Sequence, residues 1–317
     1  MAGPAQAVER SSTLTLLSTP KAFRGLFATI QRNAITSWTK LDPRPEVILF
    51  GTDEGTAELC DELGLRHVPD VAATAEGTPL ISDMFLQGQA LATTPVVCWS
   101  NADVIYTGSL LAAAEAIAAR PRASYVVGQR TDIDQLDLLA FDGDWQDRLL
   151  DRATREGERK PVNWIDYFMF TRGLFPELPP FAIGRPGYDP WLIWRAADLG
   201  AEVVDATPFV TAVHQRHDYS HVGTREQAFN GAEAKRNAAI VDDWRHYHSI
   251  AYASLAFDRS GTIGPARGWR YRQARPRSYL AHAVRFTRPL RRRMLGETAS
   301  WRRRARPLGD GAGSSAQ

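Results

Sequence analysis

The chain has 317 residues, 44% of them apolar, and a formal net charge of +2, which is enough to bury one large α/β core or two small ones and excludes wholesale disorder. The charge is uneven: Pro265 to Gln317 holds fourteen Arg against Glu297 and Asp310, a local balance of +12 that leaves −10 for the 264 residues before it. That asymmetry suits either a basic appendage that meets an anionic partner or a solvated tail in a chain with only four Lys.

Cys60 and Cys98 lie in helix-like and strand-like apolar surroundings, the pattern of structural thiols in a reducing compartment, and a cytoplasmic address is expected. No run approaches the roughly 18 apolar residues of a membrane span. The opening "MAGPAQAVERSS" has neither the charged nor the apolar region of a signal peptide. The chain is therefore expected to be neither secreted by that route nor threaded through a bilayer.

In chain order, "TLTLLS" (13–18) is a β-prone run, and Phe23, Leu26, Ile30, Ala34 and Trp38 then recur at helical spacing. "EVILFG" (46–51) predicts a second strand and residues 53–64 a helix that stops at Gly64. "LRHVPDV" (65–71) predicts a short third strand, "TPLISDMFLQGQALA" (78–92) a helix, and "TPVVCWS" (94–100) a fourth strand apolar on both faces. Strands alternating with helices imply a mostly parallel sheet with helices on both sides. Further on, residues 109–120 predict a helix, 123–134 a strand running into a polar loop, 143–161 a polar helix, and 165–175 an extended segment. Residues 188–200 predict a helix ending at Gly200, 207–215 a strand, and about 226–257 two aromatic-rich helical segments. The Arg-rich tail carries Pro265, Pro276, Pro289 and Pro307, which argue against one continuous helix there.

The fourth strand ends in Asn101-Ala102-Asp103. Ligands of a doubly wound sheet bind outside the carboxyl ends of its strands. A carboxylate there can hold Mg2+ or Mn2+ together with substrate phosphates, or it can merely shape a turn or cap the next helix.

The order "LTLLSTPKAF", "EVILFGTDEG", "TPLISDMF", "CWSNADVIYT", "GRPGYDPWL" and "VTAVHQRHDYSH" resembles the GT-A glycosyltransferases, which move a sugar from a nucleotide diphosphate. It is most similar to a bacterial and plant group with "NAD" in place of Asp-x-Asp. The resemblance covers about residues 12 to 257 and implies a GT-A-like (Rossmann-like) domain there. A disordered segment 1–11 would precede it, and a helical, basic and partly disordered extension 258–317 would follow. The resemblance assigns Asp103 to the metal and Asn101, with Ala102 between them, to the position that contacts the ribose or metal. Asn101 is a departure, since an amide offers a metal no charge. Asp53 matches the acid that contacts nucleobase or ribose, and Ser18, Thr19 and Pro20 match the loop over the base. Asp83 either faces the sugar or is a surface helix acid.

Gly184 and Gly187 allow a tight loop to approach the donor sugar, and Asp189, at the start of a helix, is either the general base for the acceptor hydroxyl or a helix cap. His214, His217 and His221, with Asp218 and Tyr219 among them, form a polar cluster. The resemblance places a metal-binding His in this region; His214 is the first choice and His217 the alternative. Imidazole predicts that Mn2+ serves at least as well as Mg2+. Asp132, Asp134 and Asp166 are open as ligand contacts or loop structure, and Trp164 and Tyr167 as acceptor platforms or packing.

The expected activity is metal-dependent sugar transfer from a nucleotide-diphosphate sugar to a hydroxyl of a glycan, lipid-linked or small-molecule acceptor, with inversion. If the tail meets an anionic membrane, the enzyme would sit peripherally at its inner face and serve envelope glycan synthesis. Two alternatives stand beside it. A sugar-phosphate nucleotidyltransferase would need a Gly-rich phosphate loop after the first strand, which "LLSTPKAF" lacks. A non-catalytic nucleotide or nucleic-acid binder survives for the tail only, where Trp269, Tyr271 and Tyr279 sit among arginines; nucleic acid is not expected as a partner of the domain.

Overall fold

A computed structural model describes residues 11–217 and 229–272. Most of the expected disordered N-terminus, the trio Asp218, Tyr219 and His221, and the Arg-rich stretch beyond residue 272 lie outside the described residues.

The elements run in chain order as β1 (Leu14–Ser18), α1 (Gly25–Thr39), β2 (Glu46–Phe50), α2 (Thr56–Leu63), β3 (Arg66–Val68), α3 (Ile81–Leu91), β4 (Val96–Ser100), β5 (Val104–Ile105) and α4 (Gly108–Ala118). They continue with β6 (Ser124–Val127), β7 (Arg130–Ile133), α5 (Trp145–Glu156), β8 (Glu158–Arg159), β9 (Tyr167–Thr171), α6 (Tyr188–Asp198), β10 (Glu202–Asp205), β11 (Ala212–Gln215), α7 (Ala232–Val241), β12 (Leu255–Phe257) and β13 (Ile263–Pro265). Nine strands form one sheet in the order β13-β12-β10-β6-β9-β4-β1-β2-β3. Only β9 and β13 run against the rest. A smaller sheet, β5-β11-β7-β8, stands beside it.

The fully buried residues of β1 and β4 explain their continuous apolar runs, because helices cover both faces of the large sheet. One core packs α1, α2 and α4 against it through Trp38, Leu59 and Leu110; the other packs α3 and α6 through Phe85 and Trp191. Trp38 also donates its Nε1–H to the carbonyl of Val104 at 2.9 Å, so the same side chain that fills the first core steadies the segment after Asp103. Truncating a buried Trp costs about 3–5 kcal/mol.

The α/β architecture and the alternating first half match the sequence expectation; the second half differs in detail. The run 123–134 is two strands in different sheets, broken at Gly128, where an added Cβ would lie 2.2 Å from Tyr167 Oη. The strand expected over 207–215 is confined to 212–215, since Phe209 and Val210 turn back to bond the Ala206 carbonyl. Strands β5 and β10 are too short to announce themselves by periodicity. The helical expectation for 226–257 holds for α7, but 255–257 is strand β12.

The boundary expected at residue 257 falls beside a hairpin, because β12 pairs with β13. Beyond it Tyr271 donates to Asp205 Oδ2 at 2.6 Å, and Arg270 pairs with the same fully buried carboxylate. The chain up to Tyr271 thus packs on the sheet instead of leaving it as an appendage. Among the described residues no helix is long and apolar enough to cross a membrane.

Candidate functional site

The N-A-D turn leaves β4 at the carboxyl edge of the parallel strands, where β1 and β2 also end. A cleft of about 930 Å3 opens there, lined by Thr19, Pro20, Asp53, Asn101, Ala102, Asp103, Gly184, His214 and His217 among others. This is within the range of small-molecule sites.

The small sheet assembles the polar centre. In its register His214 stands opposite Val104 on one side and Asp132 on the other, and directly opposed residues project to the same face. His214 Nε2 lies 3.7 Å and His217 Nε2 2.9 Å from Asp103 Oδ2. Ligand atoms of these three residues all fall within 4.8 Å of one another. Asp103 Oδ1 is buried and has no hydrogen-bond partner among the described residues, so it is an acceptor waiting for a ligand. Two imidazoles and one ionised carboxylate, one of whose oxygens is buried and unmet, fit a divalent cation. Burial pushes the Asp103 carboxyl up, but His214, His217 and Lys21 outweigh it and hold the group well below the usual carboxylate range. Burial likewise pushes His214 down, and Asp103 and Asp132 reverse this to a net rise. Gln215 fixes the turn from beneath: its Nε2 donates to the carbonyls of Asp103 (3.1 Å) and Ile30 (2.7 Å).

Asn101 has a local explanation. Strand β9 runs against its neighbours, so the residue before it, Asp166, arrives at the edge where β4 ends. Asn101 Nδ2 donates to Asp166 Oδ1 at 3.1 Å, and the Asn101 backbone N–H donates to the Asp166 carbonyl at 2.9 Å. An aspartate at 101 would set one carboxylate against another. Asn101→Asp is therefore expected to lower stability at neutral pH by about 1–3 kcal/mol, and a urea unfolding midpoint unchanged from wild type would contradict that account.

The other expected residues separate into those at the cleft and those away from it. Thr19 lines it while its Oγ1 donates to the Phe50 carbonyl at 2.9 Å, and Asp53 lines it with a carboxyl that burial raises against a backbone bond from Ala22 and the charge of Lys21. Ser18 is fully buried and donates to the Ser100 carbonyl at 2.7 Å, tying β1 to β4. Asp83 is not among the residues that line the cleft; its Oδ2 accepts the Ala72 N–H (2.7 Å) and a hydrogen bond from Gln87 Nε2 (2.8 Å), as suits the alternative of a helix acid that ties α3 to the preceding loop. Gly187 also stands off the cleft; at φ 113° it starts α6, and a Cβ would meet Val241 at 3.2 Å.

Asp189 does not cap α6, whose start carries no side-chain cap bond. Its Oδ1 is buried without a partner among the described residues, and burial first, then the charge of Asp166, raises its carboxyl to about 7. The cleft wall at this point is its neighbour Tyr188. Trp164 lines the cleft beneath Arg130 (4.8 Å) and Lys160 (5.5 Å), whereas Tyr167 is fully buried against Tyr106. Asp134 pairs with Arg216 at 2.8 Å at the surface.

Sequence reasoning missed the cations of the cleft: Lys21, Arg24, Arg130, Lys160, Arg185 and Arg216. For Lys21 a signal existed, because it is one of four lysines in an arginine-rich chain and directly follows Ser18-Thr19-Pro20. Burial lowers its ammonium's pKa against the pull of Asp103 and Asp53.

No protein-family model and no curated protein matches the chain. Among solved structures it is similar to TarS residues 1–349 of S. aureus, at 11% identity over 65% of this chain and 58% of that one, with a TM-score of 0.38. It is also similar to the mannosyltransferase PcManGT from Pyrobaculum calidifontis, solved with GDP-Man and Mn2+ (13% identity, 68% and 61% covered, TM-score 0.41). A third is glucosyl-3-phosphoglycerate synthase from Mycobacterium tuberculosis (14%, 73% and 79%, TM-score 0.41). The chain spans 58% and 61% of the lengths of the first two. Likeness at this level carries no residue roles across.

Proposed function

We propose that the chain is a divalent-metal-dependent glycosyltransferase that moves a sugar from a nucleotide-diphosphate donor to an acceptor hydroxyl. The observation that carries this reading is the convergence of Asp103, His214 and His217 at the strand edge, with Asp103 Oδ1 unmet, in a cleft that Thr19, Pro20 and Asp53 also line. Asp103, His214 and His217 would hold Mn2+ or Mg2+, with Mn2+ favoured by the imidazoles. Such an ion, when bound, neutralises the charge that develops on the leaving diphosphate.

The chain's own residues do the rest. Thr19, Pro20 and Asp53 receive the nucleoside, Asn101 offers its amide to the ribose edge, and Lys21 adds positive charge beside Asp103. Gly184 lets backbone approach the sugar. Asp189 does not itself line the cleft but follows Tyr188, which does; with a carboxyl raised to about 7 it would take the acceptor proton, since a base titrating near the working pH transfers protons most effectively. Attack opposite the leaving diphosphate inverts the anomeric centre. Trp164, held under two cations, offers a face for an acceptor sugar. Placement of the Arg-rich tail on an anionic membrane would make the acceptor a lipid-linked glycan of the cell envelope.

A thermal-shift series with UDP-, GDP- and dTDP-sugars, each with and without Mn2+, tests the reading. A ligand at 100 times its Kd adds about 2.7 kcal/mol of stability. One nucleotide sugar should raise the melting point only with metal present; no shift with any donor in Mn2+ or Mg2+ would remove the proposal.

A further inference from the structure

A buried chain of polar contacts joins both ends of the N-A-D turn through residues of four strands and loops. From Asn101 it passes to Asp166 Oδ1 (3.1 Å), from Asp166 Oδ2 to Arg130 Nη1 (2.7 Å), and from Arg130 Nε to Asp132 Oδ1 (2.9 Å). The same Asp132 oxygen lies 3.1 Å from His214 Nδ1, and His214 turns its Nε2 toward Asp103. Asp132, Arg130, Asp166 and His214 are each 8% exposed or less. None of His214 Nδ1, Asp132 Oδ1 and Arg130 Nε makes an aligned hydrogen bond among the described residues, so the approaches of 2.9 and 3.1 Å between them are ion-pair contacts. Two buried nitrogens, His214 Nδ1 and Arg130 Nε, therefore face one carboxylate oxygen, Asp132 Oδ1.

Burial of an acid this deep is costly unless it is paired. Arg130 and, at 3.4 Å, Lys160 compensate the Asp132 charge. Each of these cations also has a nearer acid, Asp166 for Arg130 (2.7 Å) and Glu158 for Lys160 (2.8 Å), so His214 shares in compensating the Asp132 charge, and the pairing gives the imidazole a direction. A carboxylate facing Nδ1 selects the tautomer with its proton on Nδ1, which leaves the Nε2 lone pair facing Asp103. A carboxylate that orients a ligating imidazole in this way also raises its basicity.

We propose that Asp132 is a positioning residue for the metal centre: braced by Arg130 and Lys160, it fixes the ring and tautomer of His214 so that Nε2 points at the ion. The inference rests on the metal-dependent reading above and assigns Asp132 to the metal side of the cleft instead of to the sugar or acceptor. Asp166, at the far end of the chain, holds Arg130 and Asn101 in register with it.

Two measurements test this on the full chain. Long-range 1H–15N correlation spectra of 15N-histidine-labelled protein, at alkaline pH without metal, should show His214 as the Nδ1–H tautomer; the Nε2–H tautomer would overturn the proposal with no substitution needed. Mn2+ titration followed by electron paramagnetic resonance should show binding about 10- to 100-fold weaker in Asp132→Asn, with part of the loss restored in Asp132→Glu. If wild type binds no Mn2+, the metal reading itself fails. If wild type binds it and Asp132→Asn binds equally well, the metal reading stands and the role of Asp132 is gone. Should Asp132→Asn not fold, Asp132→Glu and the tautomer spectrum decide the matter.

Discussion

Asp103→Asn is expected to weaken Mn2+ binding by more than about 100-fold and to abolish turnover of the donor sugar. The lower bound follows from comparison: loss of a partner that merely orients a metal ligand costs about 10- to 100-fold in affinity, and Asp103 would be a ligand itself. It is also the only carboxylate in the cluster of three candidate ligands found among the described residues. An amide keeps the shape and one acceptor but brings no charge to a site whose other two ligands would be neutral imidazoles. Electron paramagnetic resonance titration with Mn2+ and a coupled assay for nucleoside-diphosphate release read the two effects separately. Retained Mn2+ affinity in Asp103→Asn would move the metal elsewhere and take the proposed chemistry with it.

The second large effect concerns Asp189, and it has two halves of opposite sign. Turnover should fall about 10²- to 10⁴-fold in Asp189→Asn, the usual loss when a positioned base is removed. In wild type, kcat/KM should rise with pH through about 7 as the carboxyl of the free enzyme ionises, and this limb should vanish in the variant. Stability should move the other way. The carboxyl's ordinary value is 3.8 and its folded value about 7, so between these the native state holds a proton that the unfolded state has released. Unfolding then becomes easier as pH rises, by about 1.4 kcal/mol for each pH unit across that window. Above pH 7 the whole penalty is present, and the uncharged amide escapes it. Asp189→Asn should accordingly melt higher than wild type at pH 8 and about equally at pH 4. A variant that gains stability yet keeps normal turnover would identify Asp189 as a buried structural acid and end its role as base.

The contrast between Asp103 and Asp189 is one of surroundings. Both carboxyls are desolvated, which by itself raises an acid's pKa. Asp103 is met by His214, His217 and Lys21 and stays ionised. Asp189 is met by Asp166 and by aromatic surfaces and holds its proton longer. Two carboxylates with diverging environments are suited to different tasks, one to bind a cation and the other to exchange a proton.

The sequence by itself determined the α/β class, the alternation of β1 to β4 with their helices, and the placement of Asp103 at a strand exit. Those features are written in local periodicity and in strands apolar on both faces, which need no partner to be recognised. Asp53, Thr19 and Pro20 entered only through the resemblance to the GT-A glycosyltransferases, whereas Gly184 was marked by the tight loop that its own glycine pair allows. The tertiary structure alone decided that His214 and His217 both face Asp103, that Asp132 stands behind His214, and that Asp166 explains the amide of Asn101. These depend on the antiparallel course of β9 and on the register of the small sheet, whose strands are two to four residues long. Segments so short carry no period of their own, and their pairing is set by contacts between residues as much as 185 positions apart, such as Gln215 with Ile30. Asp83 shows the converse: its place on a helix was readable, but its bond to the loop at Ala72 depends on tertiary packing.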